Sequence, residues 1–460
     1  MRIERITSDR IVNPVASFAQ GIKTGPYLFL SAQAGVLPDS RQLVGSCAEL
    51  PDEEGRSLAT GRLAADSWSG PVQAQCWQMF NNIDAILKEH DATLNDILRI
   101  NMWLTNFRDL PTLMPIRSRP FAPQDPPPIT NIGAPELSLP GAKIQAEVVV
   151  LLPEAGIERV VMGSPRVSQS VGDYVLATQG GNLGWPAGMI AARNDTGQVV
   201  RGTADLGDEA PLLSVGGLVR NEIEGAAAAQ TYFILRDLEM TLGDNGLTLD
   251  DVAKLTVYIK DIREWPPCEV VISRFFGDTS PPLTVVGCSE LGMDDFRLEI
   301  EATFVVAGSC ERRFMDSMAQ PIRGAATTAV TNDFIFVSGQ FGIGRGHGDV
   351  VSSYEDLDEA NDVDLPTGSL ATDLRDSPAA VQTLVALRNL SRALNDAGSS
   401  LEQLVKVNVY VTQARDIPIV ERMFIRVFGS DAPAGGMVQV PHLPLKEARV
   451  EIDGIALRAR

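Results

Sequence analysis

Cysteine is scarce in this chain: there are five among 460 residues, and no CxxC pair. That excludes a disulfide scaffold and a zinc ribbon, and the expected setting is reducing and cytoplasmic. Histidine is scarcer still, with His90, His347 and His442 scattered and no metal-ligand spacing among them. No apolar run approaches the roughly 18 residues of a membrane span. The opening MRIERITSDRIVNP is charged and has no apolar core, so no secretory signal is expected. Basic residues are in deficit, 39 Lys and Arg against 59 Asp and Glu for a net charge of −20. Such a surface repels phosphate backbones, and no basic run offsets it. The glycine-rich run 342–348 lacks the Lys-Ser/Thr of a phosphate loop. Neither a nucleic-acid nor a membrane partner is expected.

What is present is ordinary globular composition, 44% hydrophobic and 21% charged. The length suits about three domains of roughly 150 residues. The sequence repeats at that period. Ile3-Glu4-Arg5 returns as Ile157-Glu158-Arg159 and as Cys310-Glu311-Arg312, 154 and then 153 residues on. Each third has an apolar run ending in a small residue and Gln: 27–33 (YLFLSAQ), 174–179 (YVLATQ) and 334–340 (FIFVSGQ). These read as buried strands. Insertions over 39–70, 185–220 and 345–377 follow them and are expected to cluster around clefts as lids. Amphipathic helices are expected next, over about 72–90, 223–242 and 379–397, with stops at Gly243 and Gly398.

The most specific block follows. LNDILRINMWLT (94–105) matches LDDVAKLTVYIK (249–260) and LEQLVKVNVYVT (401–412). Three residues on, each copy reads Arg, acid, apolar, Pro: Arg108-Asp109-Leu110-Pro111, Arg263-Glu264-Trp265-Pro266 and Arg415-Asp416-Ile417-Pro418. A second helix follows each. The thirds end in alternating strands at 143–150, 297–304 and 449–456. A period of domain size means tandem domains, not solenoid repeats, and the boundaries fall at 1–155, 156–308 and 309–460.

These residues resemble the RidA/YjgF family. The third domain carries the resemblance best, through Ser338-Gly339-Gln340, LVKVNVYV (404–411), FGSDAPA (428–434) and VEIDGIA (450–456). The first is the most divergent. The resemblance implies an α+β fold, chorismate-mutase-like, with a mixed sheet and two helices on one face. It also implies a trimer with ligand clefts between subunits. Three fused copies are expected to build it as an intramolecular pseudotrimer, monomeric in mass, because fusion raises the effective concentration of each interface.

The family's imine deaminases use an arginine for the substrate carboxylate and a last-strand glutamate to position water. The glutamate carries over to Glu299 and Glu451, while the first domain has Gln145, which orients water but accepts no proton. Gly435 of Pro433-Ala434-Gly435-Gly436 stands where the arginine is expected, and Pro282-Leu283-Thr284 and Pro128-Ile129-Thr130 also lack it. Phe18 takes the family's aromatic position. Arg108, Arg263 and Arg415 recur in register, each beside an acid that suggests a local pair. Arg99, Lys254 and Lys406 read as solvent-facing strand residues. Cys288 reads as a small buried filler.

The expected function is a cofactor-independent, metal-free enzyme acting on a small reactive imine, enamine or related unsaturated metabolite. Deamination, hydrolysis and tautomerisation stay open, and the alternative is a non-catalytic metabolite- or protein-binding pseudoenzyme. Glu451 is the first candidate base and Glu299 the second. Ser338, Gln340, Gly435, Gly436, His442 and Arg415 are the candidate binding residues. Backbone amides at Gly435 and Gly436 are expected to replace the arginine beside Glu451.

Overall fold

The computed structural model describes every residue except 15–17, 60, 62–69, 122–125, 168–171, 173, 194–195, 210–221, 278–279, 315–321, 323, 345–348, 354–355, 357–376 and 460. The first domain's sheet comprises β1 (Glu4–Ile6), β2 (Gly21–Thr24), β3 (Tyr27–Ala34), β4 (Ile97–Leu104), β5 (Ile129–Gly133) and β6 (Ile144–Leu151), ordered β1-β2-β3-β6-β4-β5. The second has β7 (Arg159–Met162), β8 (Ala177–Gly180), β9 (Leu183–Pro186), a small hairpin of β10 (Ala192–Arg193) and β11 (Gln198–Val199), then β12 (Val252–Ile259), β13 (Leu283–Gly287) and β14 (Leu298–Val305). The third has β15 (Glu311–Arg313), β16 (Thr328–Val330), β17 (Phe334–Phe341), β18 (Leu404–Val411), β19 (Ala434–Gln439) and β20 (Val450–Leu457). All three sheets share one strand order, with a parallel edge pair (β4–β5, β12–β13, β18–β19) and antiparallel neighbours elsewhere.

Two principal helices back each sheet: Gly70–Lys88 and Leu110–Ser118, Glu222–Asp244 and Trp265–Phe276, Pro378–Asp396 and Ile417–Phe428. The proline of each Arg-acid-apolar-Pro motif lies in the first turn of the shorter helix, where its missing N–H leaves no bond unmade. Gly398, at φ +84°, follows the third long helix as expected. Gly243 is instead inside its helix, and the left-handed glycine past the end is Gly246, at φ +76°.

One strand assignment moves. The run 174–179 does not correspond to 27–33 and 334–340. Strand β9 pairs with β14 (Val305↔Leu183), as β17 pairs with β20 (Phe334↔Leu457). In this register Ala187-Gly188-Met189 stands where the other domains have Ser31-Ala32-Gln33 and Ser338-Gly339-Gln340. The YVLATQ run belongs to β8, the counterpart of β2 and β16. Trp185 and Pro186 are therefore strand residues, and that insertion begins later than 185. Most of 345–377, and the tip at 210–221, lie outside the described residues.

The sheets close a ring in which each domain touches the other two. The repeated tripeptide explains part of it. Arg5 donates to the carbonyls of Asp431 and Ala432 in the third domain. Arg159 donates to Ile97 and Pro126 in the first, and Arg312 to Leu249 and Val252 in the second. Each core lies between its own sheet and helices. Two further apolar clusters draw on all three domains, one around Trp103, Tyr258 and Tyr410, the other around Phe29, Trp185 and Phe334. Strand faces that read as half-polar are thus covered by neighbouring domains.

Candidate functional site

Between those two shared clusters lies a polar layer. Arg99, Lys254 and Lys406 are not solvent-facing: each reaches an acid of the next domain around the ring. Arg99 Nε donates to Glu301 at 2.9 Å, Lys254 lies 3.3 Å from Asp453, and Lys406 pairs with Glu147. Burial alone would raise the Glu301 carboxyl, but Arg99, Tyr258 and Thr130 outweigh it and hold it below its ordinary range. Burial pushes the Lys254 ammonium down, with Asp453 opposing. Thr130 and Thr284 donate to Glu301 and Asp453 at 2.7 and 2.6 Å. Gly436 takes the threonine's place beside Glu147, because a Cβ there would stand 1.8 Å from Oε1. The axial cavity enclosed is 40 Å³, room for a water or two.

The three seams between neighbouring domains differ. Glu451 is 0% exposed and Glu299 5%. A bulge between Val337 and Gln340 turns the backbone of β17 toward β20. A Cβ on Gly339 would lie 1.8 Å from Glu451 Oε1, and one on Gly188 equally close to Glu299 Oε1. Burial drives both carboxyls well above the ordinary range. Asp453 adds to this for Glu451, with Lys254 and the Val285 amide opposing; Glu301 adds for Glu299, with the Asn131 amide opposing. Both shifts favour the protonated form, which weakens either carboxyl as a base. Ser338 and Gln340 occupy the β17 bulge beside Glu451, where Gln340 Nε2 donates to Ser338 Oγ at 3.0 Å.

The remaining expected residues divide. Gly435 and Gly436 do not accompany Glu451. They face the first domain, where the Gly435 amide donates to Ser31 Oγ at 2.8 Å. They share a domain with Glu451 but not its seam, because in the ring a domain's edge strand serves its neighbour's cleft. His442 is in the seam between the second and third domains, its Nε2 3.2 Å from the Lys260 carbonyl and its own carbonyl accepting from the Gly287 amide at 2.9 Å. Arg415 is in a local turn, bonded to Gln413 Oε1 at 2.7 Å, and lines neither described cavity. Arg263 pairs with Asp261 in the same way. Cys288 is buried, which pushes its thiol up. His347 lies outside the described residues.

A larger cavity, 280 Å³, opens between the first and third domains. Gln145 and Gln33 line it with Phe18, Met437, Gly435 and Gly436. Gln145 is oriented from both ends: Nε2 donates to the Met437 carbonyl at 3.3 Å, and Oε1 accepts from Ser138 Oγ at 3.2 Å. Phe18 inserts into the third domain's core, edge-on to Phe424 at 5.4 Å. The hairpin after β3, closed by the Val36↔Leu43 bridge, brings Arg41 to the same cavity. Sequence reading missed Arg41; the Asp39-Ser40-Arg41-Gln42 run marks a turn and gives no sign of what the turn faces. Here the first insertion does border a cleft. Strand registers make Gly435, Ile129 and Leu283 equivalent to one another, through Val407↔Gly435, Ile100↔Ile129 and Leu255↔Leu283, and none of the three is an arginine.

The model of the Endoribonuclease L-PSP family matches three times in tandem, over residues 8–152, 166–306 and 320–458. The chain belongs to this family. A RutC family protein of Pyrococcus abyssi is 28% identical over 142 residues, 31% of this chain and 93% of that protein. A 2-iminobutanoate/2-iminopropanoate deaminase of Dermatophagoides farinae is 23% identical over 154 residues, 33% of this chain and 99% of that one. Among solved structures, RidA from an Antarctic Psychrobacter is 21% identical, covering 32% of this chain and 98% of its own, with a TM-score of 0.25. Each L-PSP relative thus corresponds to about one domain of the three. Among the described residues no group of His, Cys, Asp and Glu could hold a metal, and no helix is long and apolar enough to cross a membrane.

Proposed function

We propose that this L-PSP family chain is a cofactor-independent enzyme that takes a small reactive imine, enamine or related unsaturated metabolite into the cleft between its first and third domains. The observation that carries the reading is the 280 Å³ cavity with the two-point-held Gln145 amide in its wall. Imine hydrolysis adds water to carbon, moves a proton to nitrogen and expels ammonia. A fixed amide oxygen can orient that water through its free lone pair, while solvent at the cleft mouth relays the proton that the water gives up to the departing nitrogen. Apolar walls such as Phe18 and Met437 keep other water away. The relative named as an imine deaminase supports the substrate class. The net charge of −20 weighs against RNA as a substrate. The same reading takes the protein as a cytoplasmic monomer.

A second reading, metabolite binding without turnover, is favoured by Gln145 itself, which accepts no proton. One experiment separates the two. Purified protein is mixed with 2-aminoacrylate and 2-iminopropanoate generated in situ, and the keto acid is followed. Acceleration over buffer that Gln145→Ala removes supports the enzyme. No acceleration, with 2-oxobutanoate still bound in the cleft, supports the binding reading. Absence of both overturns the assignment to this cleft. Glu451→Gln and Glu299→Gln in the same assay test the other two seams, and loss of turnover in either moves the chemistry there.

A further inference from the structure

An arginine at 435 has no room in this molecule. A Cβ there would lie 2.8 Å from Phe18 Cε1 and 3.0 Å from Val407 Cγ2, so the aromatic ring occupies the path a long side chain would take. Among the described residues lining the 280 Å³ cavity, Arg41 is the one charged side chain, and none is acidic. It makes no ion pair with any described residue. Its position is fixed by its hairpin: the Leu37 amide donates to the Gln42 carbonyl at 2.9 Å and the Arg41 amide to the Leu37 carbonyl at 2.8 Å. Asn82 donates to the carbonyls of Ala34 and Val36 at 3.1 and 3.0 Å, tying the hairpin base to the first long helix. Arg41 itself is at φ +57°, a left-handed conformation uncommon for a side-chain-bearing residue.

We propose that Arg41 recognises the ligand's anionic group, and that the ligand of this cleft is a small monoanion with an apolar body, seated carboxylate outward. This rests on the first-to-third-domain cleft being the ligand site. The guanidinium is planar and pairs with a carboxylate through two parallel bonds. Arg41 is exposed at the mouth, so the charged end of the ligand stays near water while its hydrocarbon part meets Phe18, Leu139 and Met437. A single cation with no second donor of charge favours one carboxylate over a phosphate dianion. The direction of entry is then set by the hairpin, and the reacting carbon lies inward toward Gln145.

The test uses the full chain with 3-methylbutanoate and its neutral isostere 3-methylbutanamide, read by the labelled methyl signal of Met437 and by calorimetry. The wild type is expected to bind the carboxylate about tenfold more tightly than the amide. Arg41→Gln is expected to remove that preference, lowering carboxylate affinity roughly tenfold and leaving the amide within about twofold. Arg41→Gly suits the left-handed backbone and serves as the variant least disturbing to the fold; it should behave like Arg41→Gln. If both probes move the Met437 signal equally, or the variants keep the preference, Arg41 is not the anion site although the cleft stands. If neither probe moves that signal, the cleft assignment falls, and this inference with it.

Discussion

Removing one partner of the axial ion pairs gives the sharpest test of how the ring is held. Lys406 and Glu147 pair across the third and first domains with side chains only 4% and 5% exposed. Lys406→Met keeps most of the aliphatic volume but leaves the Glu147 carboxylate without its cation between three sheets. Stranding one member of a buried pair costs about 3–5 kcal/mol. Glu147→Gln should cost a similar amount by leaving the ammonium unpaired. The double variant replaces both charges, so most of the loss should return, because a buried pair is often worth little against neutral groups of like volume. Urea denaturation of the four proteins, followed by tryptophan fluorescence, closes the cycle; Trp103 and Trp185 lie in the clusters flanking the layer. Losses that simply add in the double variant, or a Lys406→Met protein as stable as wild type, would refute the account of a coupled axial layer.

Three further outcomes are expected. The Glu451 carboxyl, raised by burial, stays protonated in the fold where the unfolded chain ionises, so its contribution turns unfavourable as pH climbs above the ordinary value of 4.5 toward the folded one. Glu451→Gln should therefore gain stability relative to wild type as pH rises through that window, by up to about tenfold in the folding equilibrium per pH unit; thermal melts at pH 5 and pH 8 showing a constant difference would sink this. Gly435→Arg, which returns the family's residue to its position, should lower the melting temperature and fail to improve activity, since Phe18 blocks the side chain; a stable, more active variant would contradict the packing. Light scattering of the purified chain should give about its own mass, 49.5 kDa, and a threefold larger particle would show that the interdomain surfaces are satisfied between chains instead.

The sequence by itself determined the repeat, the strands and helices of each copy, and the residues that carry the family resemblance; the mixed sheet followed only from that resemblance. The former are local or periodic properties: hydrophobic alternation, a helix stripe, a proline in a first turn. Strand equivalence in the second domain is hidden because YVLATQ resembles YLFLSAQ and FIFVSGQ far more than the true counterpart, LGWPAGM (183–189), does, and only the β9–β14 ladder identifies Leu183–Pro186 instead. Alternation likewise marks Arg99, Lys254 and Lys406 as polar strand positions without saying what covers them. A strand with one polar face looks the same whether that face meets water or another domain. Tertiary structure alone decided that each cation meets the next domain's acid, that Gly435 and Gly436 belong to the cleft of Gln145 and not of Glu451, and that Arg41 reaches that cleft from a turn. Those facts depend on contacts such as Gly435 to Ser31, 404 residues apart, which no local spacing encodes.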